Sequence, residues 1–171
     1  LVATDGRRLA VAQAKGISGD LELTAVIPAK TVRELGRLLR DDAETPAVMA
    51  PIKDNQLLFE CGSVTVITRL IEGQFPQYAS VIPAPSSQVL SVNRQLLASA
   101  VRRVSLMTTA SSQAVVFEIA KERLVITKES SEFGSAREEL PATYSGEPLT
   151  AAFNPEYWLD ILKVLDVETV A

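Results

Sequence analysis

Short runs of β-branched and aromatic residues alternate along this chain with stretches whose apolar positions recur every three to four residues, so strands and amphipathic helices are both expected. Three stretches share one grammar: a short apolar strand, a residue that starts a helix, then about three helical turns. They are LTAVIPAKTVRELGRLLRD, VLSVNRQLLASAVRRVSLM and LTAAFNPEYWLDILKVLD. Asn93 and Asn154 are N-cap residue types, and Pro155 is preset for the first helical position, a place that Pro28 takes in the first copy. The three starts recur roughly every sixty residues, too long for most solenoids and suited to a half-domain duplicated within domains.

Strand runs follow in matching order. After the first helix come residues 47–52, 56–61 and 64–70, with Lys53-Asp54-Asn55 and Gly62-Ser63 as turns. After the second come residues 115–119, 123–127 and 135–140, broken at Ala120-Lys121-Glu122 and near Gly134. Each unit therefore reads as strand, helix and three antiparallel strands, an α+β arrangement with helices on one face of antiparallel sheets. PAPSS, residues 83–87, is the boundary expected between two domains, 1–83 and 84–171. Gly16 and Gly19 read as an ordinary loop.

The helices differ in what they turn outward. In the first, Val32, Leu35, Leu38 and Leu39 form the stripe expected to cover a sheet, while Lys30, Arg33, Arg37 and Arg40 form a basic side diluted by Glu34 and Asp41. In the second, Leu97, Val101 and Val104 are the buried stripe, and Arg94, Ala98, Ser99, Arg102 and Arg103 face out with no acidic residue between Asn93 and Met107. The third pairs an apolar face of Trp158, Ile161, Leu162 and Leu165 with a mixed face of Glu156, Asp160 and Lys163. Charged outer faces keep any helix solvated, so a basic stripe in two copies is open to a solvation reading and to a phosphate-facing one.

Composition narrows the chemistry. With 47% hydrophobic and 22% charged residues, the chain belongs among globular proteins, and no apolar run reaches the roughly 20 residues of a membrane span. The expected location is cytoplasmic, with no membrane partner. Cys61 is the only cysteine and there is no histidine, which removes Ser-His and Cys-His nucleophile pairs and ordinary Cys/His zinc sites. The net charge of −4 argues against coating nucleic acid with the whole surface, but a local basic stripe remains open. Leu1-Val2-Ala3 starts inside a strand pattern and residues 167–171 stop as another begins, so a piece of a longer chain is expected.

The motifs ATDGRRLA, IEGQFPQY, VIP and YSGEPLTAAFNPEYWLDIL, in that order along the whole chain, resemble the bacterial sliding clamp, the beta subunit of the replicative DNA polymerase. The match runs from part-way through its middle domain (residues 1–83) to part-way through its third (84–171). The resemblance implies a DNA-clamp fold, in which each domain is a pair of strand-helix-three-strand units and two chains of three domains close a ring around duplex DNA. Helices line the hole and sheets form the outside. Arg33, Arg37, Arg94, Arg102 and Arg103 are then expected to face DNA phosphates, weakly and without sequence preference.

The same resemblance bears on the Asp-Gly turn, which by itself reads as a hairpin tip. It implies that Thr4, Gly6, Arg7, Arg8, Leu9, Pro76 and Val81 help build a hydrophobic pocket for short peptides of polymerases, the clamp loader and repair proteins. Arg8 would hold a peptide's polar atoms. Many relatives carry His at the position of Arg7, a departure at the pocket rim. The family completes this pocket with residues near its C-terminus that are not in this sequence, so peptides are expected to bind this chain weakly. Leu106 and Met107 align with an apolar pair at the family's subunit interface; alternatively they close the second helix against the core. Homodimerisation is expected of the full-length protein, and this chain alone is expected not to close a ring.

The resemblance implies a non-enzymatic processivity factor without a cofactor. Two alternatives stand beside it. One is a metal-dependent phosphoryl-transfer enzyme using Asp41-Asp42 or Glu138-Glu139, although adjacent carboxylates on a strand point to opposite faces. The other is a peptide-binding module that never touches DNA.

Overall fold

The computed structural model describes residues 1–14, 23–39, 47–53 and 55–171. Gly16, Gly19, Arg40, Asp41, Asp42 and Asp54, singled out above, lie outside the described residues. The chain divides into two compact units, Leu1–Ala3 with Val11–Val81, and Thr4–Ala10 with Ile82–Ala171. A hairpin of β1 (Val2–Thr4) and β2 (Leu9–Val11) opens the chain.

In the first unit, α1 (Ala29–Leu38) is followed by β3 (Ala47–Ile52), β4 (Gln56–Cys61) and β5 (Val64–Arg69), an antiparallel meander in the order β3-β4-β5. Among the described residues β3 is an edge strand, a position that tolerates the missing N–H of Pro51. Asn55 holds a left-handed φ of 58° and Gly62 one of 60° at the two turns, conformations these residue types adopt at low cost. Leu57, Cys61 and Leu35 supply the buried apolar side chains.

Three expectations fail in this unit. Of the α1 stripe only Leu35 is buried; Val32, Leu38 and Leu39 are 52%, 40% and 50% exposed. The helix turns the Thr31–Leu35 line inward instead, because the Thr31 and Thr68 hydroxyls satisfy each other at 2.8 Å in a buried bond between α1 and β5. No strand is assigned to residues 23–28, which are tied by Ile71 N–H donating to Val26 O at 2.8 Å. Pro28 stands at the N-cap of α1 rather than inside its first turn, and among the described residues no side chain caps that end.

The second unit runs β6 (Leu90–Asn93), α2 (Arg94–Ser105), β7 (Val115–Ala120), β8 (Arg123–Ser130), β9 (Gly134–Tyr144), β10 (Leu149–Phe153), α3 (Pro155–Val164) and β11 (Thr169–Val170). All the strands join one antiparallel sheet, ordered β10-β7-β8-β9-β6-β11. The strand of each helix copy thus returns to an edge of the same meander. Asn93 Oδ1 accepts from the N–H groups of Gln95 and Leu96, both at 3.0 Å, and Asn154 Oδ1 accepts from Glu156 N–H at 3.0 Å. Both caps were legible in the sequence.

Leu97, Ala100, Val101 and Val104 of α2 and Leu162 of α3 enter one core with Val92, Val115, Phe117, Leu124, Ile126 and Leu140, which places both helices on one face of the sheet. Phe117 is its aromatic centre, stacked on Trp158 and edge-on to Phe153, each at 5.3 Å between centroids. The third apolar face needs correction. Ile161 and Leu165 are 45% and 37% exposed, while Leu159 packs on the core. The inward line is Pro155–Trp158–Leu159–Leu162, and Leu165 has left the helix with ψ 130°. No described helix is long and apolar enough to cross a membrane.

Candidate nucleic-acid interface and partner-binding turn

Because Asn93 caps α2 and four of its apolar residues are buried, the outer side of that helix is held in one orientation. Arg102 is exposed there, and among the described residues no ion pair holds it. Arg103 is engaged: its Nε and Nη2 donate to the two carboxylate oxygens of Glu138 on β9 at 2.7 and 2.8 Å. That fork raises the Arg103 pKa and holds the Glu138 carboxyl below its ordinary value of 4.5. Arg94 is half-buried and donates to Val167 O at 2.7 Å and Leu162 O at 3.0 Å, so it closes the carbonyl end of α3.

On α1, Arg33 is exposed and makes a long 3.4 Å bond to Ala29 O, and Arg37 pairs with Glu34 at 2.9 Å. The five arginines therefore differ. Among the described residues Arg33 and Arg102 have no carboxylate partner, Arg37 and Arg103 are paired, and Arg94 serves a helix end.

The turn joining β1 and β2 is built by its own side chains. Asp5 Oδ1 accepts from the N–H groups of Arg7 and Arg8 at 3.0 Å, and Thr4 Oγ1 accepts from Gly6 N–H while donating to Arg8 O at 2.8 Å. Gly6 supplies the φ of 82° that this bend requires. Those bonds, the Arg7 N–H first, hold the Asp5 carboxyl below its ordinary range.

Within the same unit the turn meets α3. Arg8 donates to Asp160 Oδ2 at 2.7 Å and to Asp5 Oδ2 at 3.0 Å, and its guanidinium lies 4.7 Å from the centroid of the Tyr157 ring. Arg7 Nη1 donates to Tyr157 Oη at 3.3 Å. Both arginine pKa values are raised, that of Arg8 chiefly by Asp160 and that of Arg7 chiefly by Tyr157. Leu9 is half-buried.

Tyr157 and Asp160 were missed as site residues. Their signal was present: an aromatic and a carboxylate one helical turn apart on a face too polar to be core. Pro76 and Val81 belong to the first unit, where both are exposed, Val81 at 69%, in and beside a 3-10 turn at Tyr78–Val81.

Leu106 and Met107 follow α2. Leu106 is 69% exposed, so it does not close the helix against the core, whereas Met107 is half-buried. The next segment is anchored by buried Lys128, whose Nζ donates to Ser112 Oγ at 2.6 Å and Ala114 O at 2.9 Å.

Glu138 and Glu139 do point to opposite faces. Glu138 holds Arg103 of α2, and Glu139 takes Arg137 at 2.8 Å and lies 3.9 Å from Arg123. They are not a ligand pair, and among the described residues no group of three potential ligands gathers for a metal.

Comparison with known proteins agrees with this architecture. Residues 1–77 match the family described as DNA polymerase III beta subunit, central domain, and residues 79–171 match DNA polymerase III beta subunit, C-terminal domain. The chain is 35% identical over 161 residues to the beta sliding clamp of Caulobacter vibrioides, covering 94% of this chain and 43% of that protein. Against the Bacillus subtilis beta sliding clamp it is 36% identical over 168 residues, covering 96% and 44%. The crystal structure of a sliding clamp from Bartonella birtlesii bound to griselimycin superposes with a TM-score of 0.90 at 37% identity, over 98% of this chain and 45% of that one. The chain thus spans less than half the length of these relatives. Two family domains matched in order, on a sheet-and-helix architecture shared with solved clamps, establish that this chain belongs to the DNA polymerase III beta subunit family of sliding clamps.

Proposed function

We propose that this chain is part of a non-catalytic processivity clamp that surrounds duplex DNA, with residues 1–83 from its middle domain and 84–171 from its third. In the whole polypeptide two copies close a cytoplasmic ring that tethers the polymerase and the clamp loader by their peptides; this chain alone does not close it. The observation that carries the DNA reading is the outer side of α2, where exposed Arg102 stands beside small Ser99 on a helix whose other side is locked into the core. A phosphate backbone can approach such a surface closely, and contacts of this kind bind weakly, follow salt and ignore sequence. Arg33 and Arg37 on α1 are assigned the same role, Arg103 is a paired contributor, and Arg94 acts by holding the end of α3.

The peptide-binding function is assigned to the turn of Thr4, Gly6, Arg7, Arg8 and Leu9, with Pro76 and Val81. Support comes from the order built into that turn, where Arg8 is fixed between Asp5, Asp160 and the Tyr157 ring. Leu106 and Met107 are assigned to the subunit interface, in keeping with the exposure of Leu106.

Fluorescence anisotropy with two duplexes of unrelated sequence tests the DNA reading. The chain is expected to bind both equally, and Arg102→Gln to flatten the dependence of log affinity on log salt by about 0.9. A sequence preference, no binding at low salt, or an unchanged slope in Arg102→Gln overturns it; in the last case the peptide-binding module that does not touch DNA becomes the better account.

A further inference from the structure

Among the proposed phosphate-facing arginines, Arg103 is held by a carboxylate from a different element. β9 faces Ile126 and Thr127 of β8 with Glu138 and Arg137, and Glu138 lies on the same side of the strand as buried Leu140, the side that α2 covers. It therefore stands beneath the C-terminal turn of α2. The pair is bidentate, with side-chain exposures of 56% for Arg103 and 25% for Glu138. Arg102, one residue earlier, has no such holder among the described residues.

We infer that Glu138 is a positioning residue that competes with DNA phosphate for Arg103, so that this arginine is largely withheld from phosphate while the pair is intact and then adds little to affinity. The inference rests on the DNA reading above. For Arg103 to reach a phosphate, two charge-assisted bonds to Glu138 are exchanged for bonds of the same kind, and Glu138, partly open to solvent, recovers water. The exchange is nearly balanced, unlike a contact from Arg102, which gives up only hydration. A surface with one free and one buffered guanidinium holds DNA loosely while keeping a second contact available, which suits a protein that must move along the duplex.

The experiment measures binding of the chain to a 20-base-pair duplex at several salt concentrations, for wild type, Glu138→Gln, Glu138→Asp, Glu139→Gln, Arg102→Gln, Arg103→Gln and the Glu138→Gln/Arg103→Gln double variant. Freeing Arg103 adds one phosphate contact. Glu138→Gln is therefore expected to steepen the salt slope by about 0.9, an additional affinity loss of about 3.5-fold between 50 and 200 mM salt. Arg103→Gln alone is expected to flatten the slope less than Arg102→Gln does, and in the Glu138→Gln background to abolish the gain; Glu138→Asp stays near wild type.

Glu139→Gln removes the same charge from the opposite face and is expected to leave the slope unchanged. An equal gain in Glu139→Gln, or no gain in Glu138→Gln while Arg102→Gln still weakens binding, overturns the inference and leaves the DNA reading standing. Indifference of binding to Arg102→Gln overturns the DNA reading itself.

Discussion

Replacing Asn93 by Ala removes one acceptor from two backbone donors at the start of the helix that carries Arg102 and Arg103. Its Oδ1 receives the N–H groups of Gln95 and Leu96 at 3.0 Å, and no acidic side chain in the first turn substitutes for it. Gln95 and Leu96 are exposed, so water takes up part of the loss and the cost stays near that of an ordinary N-cap, about 1 kcal/mol, rather than that of buried orphans. The backbone pairing of Asn93 with Thr169 survives the substitution. Trp158, the only tryptophan of the chain, stacks on Phe117 in the core of this unit, and its fluorescence reports the unfolding of that unit alone. With a urea dependence of about 2 kcal/mol per molar, the midpoint is expected to fall by about 0.5 M. Asn93→Ser should recover most of the loss. A midpoint unchanged in Asn93→Ala, or a failure of Ser to recover it, refutes the capping argument.

Three further predictions concern other parts of the structure. A Cβ at Gly146 would overlap the Tyr144 hydroxyl and come within 2.8 Å of Gln88 Oε1, so Gly146→Ala should lower stability by about 1–3 kcal/mol. It should also speed exchange of the Val89 amide, which donates to Ser145 Oγ; an unchanged urea midpoint and exchange rate would refute this. Thr31→Val leaves the Thr68 hydroxyl without its buried partner, a loss of about 1 kcal/mol that should speed hydrogen exchange of α1 amides about fivefold, and Thr31→Val/Thr68→Val should recover part of it. Because Arg103 holds the Glu138 carboxyl below 4.5, the stability from that pair is present above this value and fades as pH falls through the lowered folded-state value. The difference in urea midpoint between wild type and Glu138→Gln should therefore shrink in acid, and a difference constant between pH 7 and pH 3 would contradict the pairing.

Most elements were legible because their causes are local. β3 and β4 coincide with the expected runs, and β7, β8 and β9 only extend theirs, since turn residues bracket them in the sequence. Asn93, Asn154 and Pro155 mark helix starts by chemistry that acts within one turn. What was not legible depends on distant partners. The inward rotation of α1 follows from a hydroxyl on β5, thirty-seven residues from Thr31, and no periodicity of apolar residues can report a buried threonine pair. The pairing of β10 with β7 and of β6 with β9 is likewise non-local. At the Asp-Gly turn, Asp5 and Thr4 explain the bend, but the partners of Arg8 stand 149 and 152 residues later on α3. Arg94, which reads as part of a basic stripe, is drawn off by carbonyls at the end of another helix.

Under the proposed function, the clamp to which these residues contribute holds DNA by surrounding it, with weak phosphate contacts and no chemistry. The most direct measurement replaces the matching segment of the Caulobacter vibrioides clamp with these residues, loads the product onto nicked circular DNA, and follows retention before and after the circle is cut. Retention on the circle and rapid loss from the cut DNA are predicted. Equal retention on both forms, or none on either while the parent clamp is retained, would contradict the account.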